Sequence, residues 1–124
     1  MSFMYRVQDV DGRGPFKPGL SKFWIIERPD HENLLPWTAF VSRNELSRWH
    51  QRYRHLGCAC RSIEELRRWF IPMEYETLLL MGYQAVKLLG CEVLWQDNTQ
   101  CVIGRNKSFS SGAFPISLHA EELA

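Results

Sequence analysis

Arg6 stands alone in an apolar stretch, Phe3-Met4-Tyr5-Arg6-Val7. A guanidinium among apolar neighbours requires a partner, because an unpaired buried charge is costly. Two partners suit it: a carboxylate elsewhere in the chain, or a phosphate or carboxylate ligand gripped by the planar fork. The segment that follows, residues 9–21, carries Asp9, Asp11, Arg13 and Lys17 together with three Gly and two Pro. Loops held by a scaffold are where binding groups concentrate. Gly12 and Gly14 flank Arg13 and allow the backbone to approach something closely. The plain alternative is a tight turn braced by Asp11 and Arg13. The spacing fits no calcium loop, since no Glu stands at its twelfth position, and no phosphate-binding loop, since no Gly-Lys-Ser/Thr follows.

Further along, Ser62 precedes Ile63-Glu64-Glu65, a helix start whose capping role accounts for the serine. The same junction suits an anion or a ribose hydroxyl. Between Arg43 and Arg68 there are seven Arg against three Glu, with His50 and His55 added. Arg43, Arg48, Arg52 and Arg54 do not share one helical face, so they form a broad cuff. Such a cuff is either solvated surface or a docking face for an acidic protein or a nucleic-acid backbone. Four cysteines, Cys58, Cys60, Cys91 and Cys101, lack the two-residue spacing of a zinc knuckle and read as buried thiols, with no metal site expected. The four histidines form no triad spacing.

These groups need elements to hold them. Residues 2–10 alternate Phe3, Tyr5, Val7 against Met4, Arg6, Gln8 and predict a strand. Residues 23–27 predict a short strand or extended segment, and residues 28–36 a turn-rich connection. Ser42 and Ser62 each begin a capping box. Leu46, Trp49, Tyr53 and Leu56 continue the first helix to a stop at Gly57, and Ile63, Leu66, Trp69 and Phe70 continue the second until Pro72. A third helix is expected over residues 73–81. Strands are expected over 83–89, 91–95 and 100–103, with a hairpin turn at 96–99 and a short strand at 57–61. Residues 108–112 read as flexible, and 121–124 as a frayed tail. The expected architecture is α+β, one domain over residues 1–124.

At 124 residues, 45% hydrophobic and 13% aromatic, the composition belongs to a globular chain and not a disordered one. A net charge of +1 supplies no global field toward nucleic acid or membrane. No apolar run approaches the roughly 18 residues of a membrane span. The first residues lack the pattern of a secretory signal, so a cytoplasmic chain with reduced thiols is expected.

Tyr5-Arg6-Val7, Cys60-Arg61-Ser62 and Gln100-Cys101-Val102-Ile103, in that order, resemble the ADP-ribosyltransferase fold. The resemblance implies NAD as cofactor, with Arg6, Asp11, Arg13 and Ser62 around it and transfer of ADP-ribose to a host protein. It places Gln100 where that family carries a Glu. An amide supplies no negative charge for the developing oxocarbenium-like state, which leaves Asp97 nearby to compensate. The Tyr5-Arg6 opening, Asp11-Gly12-Arg13-Gly14-Pro15 and the later Leu66 to Phe70 are similar to small proteins of phages and prophages. That similarity implies an alternative: a non-catalytic, anti-CRISPR-like inhibitor or adaptor that binds a host protein complex through Arg43, Arg48, Arg52 and Arg54.

Overall fold

Strand-forming runs and two serine-capped helices organise the chain as anticipated, in an α+β arrangement. The computed structural model describes residues 3–15, 42–98 and 100–119. The expected short strand or extended segment at 23–27, the connection at 28–36 and the tail at 121–124 lie outside them. In chain order the elements are β1 (Met4–Gln8), α1 (Arg43–Arg52), β2 (His55–Ala59), α2 (Ile63–Trp69), α3 (Pro72–Leu80), β3 (Gln84–Leu88), β4 (Glu92–Gln96), β5 (Cys101–Arg105) and β6 (Phe114–Pro115).

Each helix start has a chemical cause. The Ser42 hydroxyl accepts from the Glu45 N–H at 3.1 Å, and the Ser62 hydroxyl accepts from the Glu65 N–H at 3.2 Å. Each thereby satisfies an amide with no partner inside the helix. Pro72 does not merely end α2. It opens α3, at a position where its missing N–H costs nothing.

The strands form two antiparallel three-stranded sheets, ordered β1-β3-β6 and β2-β5-β4. A single bridge joins them: Tyr5 and Cys60 exchange N–H···O bonds of 2.9 and 2.7 Å. The joined surface is buried on both sides. One face carries Val7, Cys60 and Ala85 beneath Leu66, Trp69 and Phe70 of the α2 segment and Tyr75 and Leu78 of α3. The other carries Met4, Ala59, Val86, Leu88, Cys101 and Ile103, and is closed by Phe109 from the loop after β5. Double burial explains why β1 has no solvated face: Met4, Arg6, Val7 and Gln8 are all buried.

Three expectations need correction. The first helix stops at Arg52 instead of continuing to Leu56, because Tyr53 turns to extended backbone (φ −125°, ψ 136°). Leu56 and Gly57 then belong to β2, drawn out by pairing with Gly104 and Ile103 of β5. Residues 108–112 are held in place: Phe109 is buried, its carbonyl accepts from Gln8 Nε2 at 2.7 Å, and Arg105 bonds the carbonyls of Ser108 and Ser111.

Candidate functional site

The opening arginine lies on the face that Phe109 closes. Its residue exposure is 6%, and its fork donates to the carbonyls of Cys58 (3.0 Å) and Gly12 (3.1 Å). The guanidinium carbon sits 4.5 Å from the centre of the Phe109 ring, a cation–π stack. No carboxylate pairs with it among the described residues, so the expected ion pair is replaced by two carbonyls and an aromatic face. Burial holds the Arg6 pKa below its ordinary value, opposed by the thiols of Cys58 and Cys91 and by Asp9. Gly57 follows from this arrangement. A Cβ there would overlap Arg6 Nη1 and lie 3.0 Å from the edge of the Phe109 ring.

The loop after β1 is wound around Asp9. The Asp9 carboxylate accepts the N–H groups of Asp11 and Arg13, both at 2.9 Å, while its backbone exchanges bonds with Gly12 and Arg13. That winding presents the Gly12 carbonyl to Arg6. Asp11 and Arg13 themselves are exposed.

Ser62, Asp97 and Gln100 gather at the other end of β2, around Arg61. Arg61 grips Glu65 through two nitrogens (2.6 and 3.2 Å) and reaches the Gln96 side chain and the Asp97 carbonyl, each at 2.7 Å. Asp97 closes its hairpin by accepting from the Gln100 N–H at 2.9 Å and donating to the Gln100 carbonyl at 3.0 Å. Gln100 is buried. The Arg6 fork bonds the carbonyls of Cys58 and Gly12, and among the described residues no hydrogen bond joins Arg6 to Ser62, Asp97 or Gln100. Among the described residues, no group of His, Cys, Asp or Glu could hold a metal ion, and no helix is long and apolar enough to cross a membrane.

Among the described residues, an open concavity lies elsewhere, where α1 gives way to β2. It is a groove of about 500 Å³ lined by His50, Arg52, Tyr53, Arg54, Asn106 and Lys107, with Gln51 on its wall. Antiparallel pairing of His55 with Arg105 forces Arg54 beside Asn106, and the Arg54 N–H donates to the Asn106 side chain at 3.1 Å. The groove floor is set by Tyr53, whose ring lies over Gly104. Any Cβ on Gly104 would fall within 2.7 Å of the ring. The Arg52 guanidinium extends over the Tyr53 ring at 5.4 Å. Arg52, Arg54 and Lys107 thus come from the end of α1, the two-residue connection to β2 and the turn after β5. Arg43 and Arg48 are exposed on α1 and do not line the groove.

Among the described residues the fold is two small bridged sheets with three helices and a basic surface groove. A family model described as Bacteriophage T4 Y00F protein matches residues 1–117, nearly the whole chain, and the chain belongs to this bacteriophage protein family. Neither the curated proteins nor the solved structures contain a match.

Proposed function

We propose that this phage protein is a non-catalytic inhibitor or adaptor that docks on an acidic surface of a host protein complex through the groove at the end of α1. The observation that supports this reading is that Arg52 at the end of α1, Arg54 in the connection to β2 and Lys107 in the turn after β5 line one concavity. Basic side chains in the last turn of a helix complement its dipole and need no further explanation. Arg54 and Lys107 lie beyond the helix and are not accounted for that way. The groove walls are flexible basic side chains over a fixed aromatic floor, a combination that anchors protein interfaces. The net charge of +1 favours a local acidic patch over the extended phosphate backbone of a nucleic acid.

ADP-ribose transfer from NAD would draw on Arg6, Asp11, Arg13 and Ser62 for the nucleotide and on Asp97 and Gln100 for catalysis. A dinucleotide at Arg6 would have to displace the carbonyls of Cys58 and Gly12, which weighs against that use.

The test is affinity capture from host extract with the wild type and with the triple variant Arg52→Glu, Arg54→Glu, Lys107→Glu. Docking on an acidic surface predicts a complex with an acidic component that is captured by the wild type and lost by the variant, while circular dichroism stays unchanged. Equal capture by both would refute it. A saturable calorimetric signal on titrating NAD would favour the transferase reading.

A further inference from the structure

We infer that the basic groove is a carboxylate site partly occupied by the chain's own Glu92, and that its ligand is an acidic peptide segment whose carboxylates displace that residue. This inference rests on the docking role assigned to the groove above. Glu92 opens β4, the strand beside β5, and pairs with Gly104, the glycine under the Tyr53 ring. Register therefore carries its carboxylate to the groove's edge, where Glu92 Oε1 stands 3.8 Å from Arg52 Nη2. Both side chains are largely solvated, 72% exposed for Arg52 and 51% for Glu92. An ion pair this long and this wet is weak, so an incoming carboxylate can replace it at small cost.

The rest of the groove has no such partner in place. The side chains of Arg54 and Lys107 make no ion pair among the described residues, whereas Arg52 is already paired. A ligand with several carboxylates in an extended chain would meet Arg54 and Lys107 first and then compete with Glu92 for Arg52. The guanidinium over Tyr53 keeps its stack while it exchanges one carboxylate for another. Glu92 thereby sets a threshold. A single acidic side chain gains little over the internal partner, while a run of them gains from every cation.

The experiment is fluorescence anisotropy with a labelled hexaglutamate peptide at low ionic strength, using the full chain. Glu92→Gln should bind about two- to fivefold more tightly than wild type, as expected for release of an exposed ion pair. Glu92→Asp, which keeps the charge, should bind like the wild type. Glu64→Gln, at an exposed position of α2 outside the groove, changes net charge equally and should leave affinity unchanged. Binding by Glu92→Gln that equals or falls below wild type would overturn the inference while leaving acidic docking intact. No binding by any form would overturn acidic docking itself. Tighter binding of a single-stranded oligonucleotide than of the peptide at the same salt would overturn the choice of ligand.

Discussion

Gly57→Ala tests most sharply how Arg6 is held. The added methyl would overlap Arg6 Nη1 and approach Phe109 Cε2 to 3.0 Å and Arg6 Cζ to 3.3 Å. Overpacking of this kind costs about 1–3 kcal/mol, and the loss of unfolded-chain freedom returns about 0.4–1 kcal/mol. The net expectation is a destabilisation of about 1–2 kcal/mol. For 124 residues, one kcal/mol lowers the melting temperature by about 4 °C, so a fall of about 4–8 °C is predicted. Arg6→Ala should cost about 2–4 kcal/mol, because it removes the donor to the buried Gly12 carbonyl and the half-buried Cys58 carbonyl and the cation over Phe109. The two losses should not add. With Arg6 truncated the methyl enters vacated space, and Gly57→Ala should become neutral or slightly stabilising. Urea unfolding followed by tryptophan fluorescence supplies the four free energies of the cycle. A Gly57→Ala cost that agrees in both backgrounds within about 0.5 kcal/mol would refute the packing argument.

Two further outcomes follow from the charges and thiols. The Arg61 hydrogen bonds hold the Glu65 carboxyl below its ordinary value of 4.5. A depressed folded-state pKa gives stabilisation that is complete above the ordinary value and lost as pH falls through the depressed one. Wild type should therefore be the more stable above the ordinary value, and its advantage over Glu65→Gln should shrink as pH falls through that window; a stability difference that does not change with pH would contradict it. Burial raises the thiols of Cys60 and Cys101 above their ordinary value of 9.0, so both should resist iodoacetamide at pH 8 in the native state and react once urea unfolds the chain. Prompt native labelling at either position would contradict that assignment.

Local chemistry made much of the scaffold readable. Ser42 and Ser62 cap helices where their capping boxes placed them, and α2, α3, β3, β4 and β5 fall close to the expected spans, because caps, apolar spacing and turn residues act over a few neighbours. Gly57 misled for a long-range reason: its missing Cβ makes room for Arg6, 51 residues earlier, and not for a helix end. Ser108-Phe109-Ser110-Ser111 looked flexible because its anchors, Gln8, Arg6 and Arg105, come from other strands. Within the groove, Arg52 and Arg54 belonged to the visible arginine cuff. Lys107 and Asn106 became part of it only through the pairing of His55 with Arg105, and sequence carries no local signal for that register. Glu92 escaped notice for the same reason.

The most direct test of the groove's role is amide chemical-shift mapping of the ¹⁵N-labelled chain during titration with hexaglutamate, and separately with NAD. The peptide should move resonances of His50 to Arg54, Asn106 and Lys107, with Glu92 responding as its ion pair opens, while NAD leaves the spectrum unchanged. Silence in the groove, with NAD-dependent shifts at Arg6, Gly12 and Ser62, would contradict the account and return the site to the opening loop.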